Sequence, residues 1–256
     1  MTPLNSPLVR IKVDRLSKKF NLDIKAHNRA LSQMLFLFDR SRIKREIQAV
    51  NNVSLEVKSD EILGIIGKNG SGKSTLLRLI AGIYVPDKGQ IKTDGRVLYL
   101  SGFGHTLIPQ LSMKENIHLT GVMMGLSFKE TKEQFDAIVE FSGLKEFVNT
   151  AVYQFSSGMV TRLTFAATIH YAMHSKPDII LMDEVLGTFG DIDFQAQAIA
   201  KVEALIKNHG AVILVSHNME LMQKYSHRII WIDKGSLKQD GKPYDVVKSY
   251  LQPQAA

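Results

Sequence analysis

The sequence contains no cysteine among its 256 residues, so disulfide staples and thiolate metal sites are excluded, which suits a reducing cytoplasm. It also lacks an apolar run able to cross a bilayer. The densest, Met34-Leu35-Phe36-Leu37-Phe38, falls far short of the ~20 residues required. The opening MTPLNSPLVRIKVDR has no apolar core of signal-peptide length, so the expectation is a protein neither secreted nor itself embedded in a membrane. Internal repeats and low-complexity stretches are absent too. Negative charge is scarce in one place only. Residues 1–50 carry 11 Lys+Arg against 4 Asp+Glu, while residues 51–256 carry 21 of each, so the whole net charge of +7 lies in the first fifth of the chain. A basic excess confined in this way points to a local anionic contact, either phospholipid headgroups or an acidic ligand, rather than to nucleic acid. The remaining composition, 45% hydrophobic and 22% charged, is that of a globular protein with room for one or two domains.

Residues 9–16 alternate apolar and charged side chains and predict a strand with one buried face; residues 50–58 predict a second. Glu61-Ile62-Leu63-Gly64-Ile65-Ile66 predicts a strand buried on both faces, and residues 178–182 and 211–215 predict two more continuous apolar strands. A mainly helical stretch is expected from about 113 to 175, punctuated by Gly121, Gly125, Gly143 and Gly158, and a short strand over 228–232 ends at the turn Asp233-Lys234-Gly235. Buried strands alternating with helices imply an α/β core with parallel strands.

Gly67-Lys68-Asn69-Gly70-Ser71-Gly72-Lys73-Ser74 has the spacing GxxxxGK[ST], with a buried strand before it and a helical run beginning Thr75-Leu76 after it. Glycines let the backbone curl so that its N–H groups face phosphate oxygens; Lys73 is placed to reach the β and γ phosphates and Ser74 to ligate Mg²⁺. A second strand must supply a carboxylate for the metal. Ile179-Ile180-Leu181-Met182-Asp183-Glu184 does so, with Asp183 on the metal side and Glu184 able to polarise an attacking water. His217, at the tip of a further buried strand, faces the same phosphates and is a candidate γ-phosphate sensor. Ser156-Ser157-Gly158-Met159 precedes an apolar helix and reads either as ordinary capping or as a phosphate-binding helix start.

In that order and spacing, the four motifs resemble the ATP-binding cassette ATPases over almost the whole chain. The resemblance implies an α/β P-loop fold with a mixed core sheet, an antiparallel β part and a helical subdomain at about 105–173, forming one domain over 1–256 with a short C-terminal tail from about 235. It makes ATP and Mg²⁺ the cofactors. It places Phe20 where an aromatic stacks on adenine, sets Gly67 through Thr75 around the phosphates, makes Ser156, Ser157 and Gly158 the signature, and puts Asp191 in the loop after the catalytic strand. A narrower likeness links SSGM, Arg162-Leu163-Thr164-Phe165, the run from Asp183 to Gln195 and the closing GKPYDVVKSY to exporters of lipid-linked polysaccharides: capsule, O-antigen and teichoic acid. Some of those carry a C-terminal sugar-binding domain, and this chain, ending at Ala256, resembles the shorter type. One P-loop and one signature per chain imply a homodimer on two copies of a membrane permease, at the cytoplasmic face of the inner membrane, acting on a lipid-linked anionic glycan and not on nucleic acid. Export of a small drug or lipid, and a soluble cassette ATPase acting on ribosomes or DNA, are the alternatives.

Residues 21–48 form a basic insertion between the first two strands. Leu31, Leu35 and Phe38 recur on one helical face, flanked by Arg29, Arg40, Arg42, Lys44 and Arg45. An ordinary helix packed on the core and a helix at the membrane surface are both compatible with this pattern. Gln110 lies about seven residues later than a nucleotide-sensing glutamine of this family, whose place falls near Phe103, with His105 the nearest polar side chain. The stretch Ile108-Pro109-Gln110-Leu111-Ser112 is therefore expected to be a partner-contacting surface.

Overall fold

The computed structural model describes residues 8–23, 44–101, 107–185, 192–207 and 210–252. In chain order come β1 (Val9–Asp23), β2 (Lys44–Lys58), β3 (Ile62–Ile66), α1 (Lys73–Ile80), β4 (Lys88–Thr93) and β5 (Val97–Ser101). Three helices follow: α2 (Met113–Met123), α3 (Phe128–Ser142) and α4 (Ser157–Ser175). The chain then runs through β6 (Ile179–Asp183), α5 (Ile192–Lys207), β7 (Ala211–Val215), α6 (Met219–Tyr225), β8 (Arg228–Asp233), β9 (Ser236–Gly241) and α7 (Pro243–Leu251). Strands β2, β1 and β4 form an antiparallel sheet; the second sheet has the order β5-β6-β7-β3-β8-β9, parallel except for β9.

The first two strands are longer than the alternation predicts. Inward positions Ile11, Val13 and Leu16 break the two-residue period, because Arg15 takes a left-handed φ of 45° and inserts a bulge that resets the phase. Past the bulge the ladder runs on to Asp23 paired with Lys44, so residues 21–23 and 44–48 of the expected insertion are strand. The helix expected around Leu31, Leu35 and Phe38 lies outside the described residues. The sequence reading also passed over β4, β5 and β9. Within the expected tail from about 235, β9 pairs with β8, and α7 buries Val246 and Val247 and sets Tyr250 edge-on to Trp231 at 5.4 Å.

The parallel strands split their side chains between two cores. Ile179, Leu181, Ile213 and Val215 face α1 and the antiparallel sheet, whereas Ile180, Met182, Val212 and Leu214 face α4, α5 and α7. Every residue of β6 and β7 is buried, and each such aliphatic side chain contributes about 1.5–3 kcal/mol. This double burial fixes where the strands end, and hence where their terminal side chains emerge. A third core, built on Met113, Ile117, Ile138, Leu163 and Tyr171, holds α2, α3 and α4 together. Arg96, just before β5, ties that helical part to the sheet by donating to the carbonyls of Ser175 (3.2 Å) and Met124 (3.4 Å).

Candidate functional site

The loop from Gly67 to Gly72 joins the buried end of β3 to the start of α1. Its shape requires glycine at two points. A Cβ on Gly67 would sit 2.2 Å from the Ile232 carbonyl oxygen, and one on Gly72 would sit 2.1 Å from that of Ala49; both residues have positive φ. Gly72 is also the N-cap of α1 and offers no side-chain acceptor, so the first amides of the helix stay available to a ligand. The loop is anchored from outside: Gly235 donates to Ser71 O (2.9 Å) and accepts from Asn51 N (2.8 Å). That anchor, in the turn between β8 and β9, was not foreseen as part of the site. Lys68, Asn69 and Gly70 are exposed at the tip, Thr75 is half-buried, and Ser71 is buried, with its hydroxyl unpartnered among the described residues.

Lys73 is only 5% exposed, and its ammonium donates to the carbonyls of Gly67 (2.8 Å) and Lys68 (3.1 Å). Burial lowers its pKa, while the nearby charges of Glu184 and Asp183 work in the opposite direction. Ser74 donates to Asp183 Oδ1 at 3.1 Å, and Tyr99 donates to Asp183 Oδ2 at the same distance. Asp183 ends β6 and is itself 6% exposed. Glu184 follows in a left-handed conformation (φ 56°), held by its N–H donating to Val215 O at 3.0 Å. That turn aims its carboxylate across to the neighbouring strand end, where Glu184 Oε1 lies 2.8 Å from His217 Nε2. Both side chains are about half exposed, so the pair borders open space instead of being sealed in the core.

Lys73, Ser74, Asp183, Glu184 and His217 thus stand together at the carboxyl ends of adjacent parallel strands. Ser156 does something different. It caps α4 by accepting from Met159 N (3.3 Å), with Ser157 beside it, and both are exposed. Among the described residues, none of their hydrogen bonds reaches the cluster around Lys73. Gly158 is roomy: a Cβ there would meet only Ser156 Oγ, at 3.9 Å. Phe20 rests edge-on against Tyr84, with ring centroids 5.4 Å apart, and the Lys18 ammonium lies 5.6 Å from its centre. Asp191, Phe103 and His105 fall outside the described residues. Gln110 lies in an exposed turn organised by Asn116, whose amide bonds Ile108, Leu111 and Ser112.

The cluster offers few protein oxygens for a metal. Among the described residues, no three His, Cys, Asp or Glu side chains converge on one point. A serine hydroxyl and one carboxylate are too few for Ca²⁺ or a structural cage. They fit Mg²⁺, which keeps waters and takes its other ligands from phosphate. The orphaned Ser71 hydroxyl and the open amides of α1 likewise match a phosphate acceptor.

The model of the family described as ABC transporter matches residues 50–187. The O-antigen export system ATP-binding protein RfbB of Klebsiella pneumoniae is 37% identical over 211 residues, covering 82% of this chain and 84% of that protein. The teichoic acids export ATP-binding protein TagH of Lactococcus lactis is 33% identical over 247 residues, covering 96% of this chain; the chain spans 52% of that relative's length. Among solved structures, the dimeric post-hydrolysis state of the ATP-binding cassette MJ0796 bound to ADP and Pi aligns with TM-score 0.66 at 21% identity, over 91% of this chain and 98% of that one.

Proposed function

The chain belongs to the ABC transporter family, and from that premise we propose that it is the ATP-hydrolysing subunit of an exporter of lipid-linked polysaccharide. The observation that carries the hydrolytic part is the pairing of Ser74 with Asp183 and of Glu184 with His217 beside Lys73. Lys73 exchanges its two carbonyl partners for the β and γ phosphates of ATP, while the amides of Gly70 through Thr75 cradle the phosphate oxygens. Ser74 and Asp183 would hold Mg²⁺, which would supply charge neutralisation on the phosphate oxygens. Glu184 orients and deprotonates the attacking water, and His217 keeps the Glu184 carboxylate directed toward it. Phe20 stacks on the adenine, and Asp191 is assigned to nucleotide binding.

Among the described residues, Ser156, Ser157 and Gly158 make no hydrogen bond to this site within one chain. They serve the site of a second copy, so two copies close on two nucleotides and reopen after hydrolysis. Among the described residues, no helix is long and apolar enough to cross a membrane. We assign the motion to a separate permease at the cytoplasmic face of the inner membrane, a reading that the exporter relatives support. The relatives named for O-antigen and teichoic acid export support a cell-surface polymer as the cargo, which we take to be a lipid-linked, anionic glycan.

Glu184→Gln tests the hydrolytic reading. It should cut ATPase activity by about 10²–10⁴-fold, the range of general-base loss, while ATP now accumulates a dimer visible by light scattering. A variant that hydrolyses at the wild-type rate, or stays monomeric in ATP, refutes it. For the cargo, Lys73→Ala in cells should leave unexported glycan in the cytoplasm. Normal surface glycan together with impaired efflux of a small drug or lipid would favour the rival substrate class.

A further inference from the structure

We propose that Tyr99 is a positioning residue for Asp183, fixing the carboxylate that faces the metal, and that Arg78 in turn orients Tyr99. The strand register brings the first pair together: β5 and β6 run parallel with Ser101 opposite Asp183 and Tyr99 opposite Leu181, so Tyr99 leans forward along the same face toward the strand end. Arg78 arrives from the other layer. It lies four residues after Ser74 on α1, and residues so spaced share a helix face, so both reach the β5–β6 edge. Arg78 Nε donates to the Tyr99 oxygen at 3.4 Å, and Tyr99 donates to Asp183 Oδ2 at 3.1 Å.

The direction of these bonds is unambiguous. A guanidinium cannot accept and a carboxylate cannot donate, so the phenol must accept from Arg78 and give its single proton to Asp183. Ser74 holds one carboxylate oxygen and Tyr99 the other, from two different elements, so the plane of the carboxylate is set before any ligand arrives. Arg78 is itself steadied at the Tyr84 hydroxyl (3.5 Å).

This inference rests on the proposed role of Asp183, and the test separates the two. Mn²⁺ serves as the probe, its affinity measured by electron paramagnetic resonance on the full chain with a non-hydrolysable ATP analogue. Affinity for the fluorescent nucleotide is measured separately in EDTA. Tyr99→Phe, which keeps the ring, should weaken Mn²⁺ binding about tenfold, the scale of outer-sphere contacts to metal ligands, while nucleotide affinity in EDTA and the thermal midpoint stay at wild-type values. Arg78→Met should produce a smaller loss, and the double variant less than the product of the two. Unchanged Mn²⁺ affinity in Tyr99→Phe overturns the assignment. So does an equal fall in metal-free nucleotide binding, the mark of a merely structural role. Asp183→Asn is the control: if it too leaves Mn²⁺ affinity intact, the metal-side reading of Asp183 fails; if it weakens binding while Tyr99→Phe does not, only Tyr99 is misassigned.

Discussion

His170 offers a quantitative test of how the helical part joins the sheet. It sits on α4 with its ring 5.5 Å from that of Phe141, which in turn meets Phe165 and Phe194. Its buried Nε2 has no hydrogen-bond partner among the described residues. Burial, helped by the charge of Lys201, pushes its pKa down from 6.5 to about 4. The unfolded chain therefore takes up a proton as pH falls through 6.5, whereas the folded chain resists until about 4. Stability from this site is fully present above the unfolded value and is lost as pH falls toward the folded one. Integrating the linkage from about pH 7 to about pH 5 gives a loss of about 2 kcal/mol, out of about 3 kcal/mol in all. His170→Leu removes the titrating group. Urea unfolding of nucleotide-free protein, followed through its single tryptophan, Trp231, should show the wild type losing about 2 kcal/mol more than the variant over that interval. Parallel stability curves would refute the argument.

Two further outcomes concern the turn before α2. Asn116 is 1% exposed and makes four hydrogen bonds to the backbone of residues 108–112, from 2.7 to 3.1 Å. Asn116→Ala should cost about 2 kcal/mol in urea unfolding and expose the turn to protease; an unchanged midpoint counts against it. Gln110→Ala, at the exposed tip of the same turn, should keep ATP affinity within about twofold of wild type, the scale of surface substitutions. A large loss in titration calorimetry would put Gln110 back among the nucleotide-contacting residues.

The phosphate loop, the carboxylates after β6 and the histidine after β7 were legible because their chemistry demands fixed residue types at fixed spacing. Gly72 has no alternative when a Cβ would land on a carbonyl oxygen. The apolar run of β6 ahead of Asp183, and that of β7, likewise announce themselves. What escaped depends on register and on contacts between layers. Tyr99 occupies a five-residue strand with no motif, and nothing local marks its hydroxyl as bound to a carboxylate 84 positions away. Arg78 reads as an ordinary polar residue in the last turn of a helix. The length of the first ribbon was missed because the bulge at Arg15 breaks the alternation on which the prediction relied. Gly235 was recognised as a turn residue, but its hold on Ser71 follows only from the sheet that brings β8 beside β3.

The long ribbon of β1 and β2 has an evolutionary consequence. The chain leaves it at Asp23 and returns at Lys44, which face each other in the ladder, so departure and return lie about 5 Å apart. A stem closed in this way makes the thermodynamics of the fold nearly indifferent to how much sequence hangs from it: doubling the length of a flexible connection adds only about 0.6 kcal/mol. Sequence placed between these two strand ends can therefore change in length at little thermodynamic cost. Asp183, Glu184 and His217 stand at the ends of other strands and need not be reinvented each time.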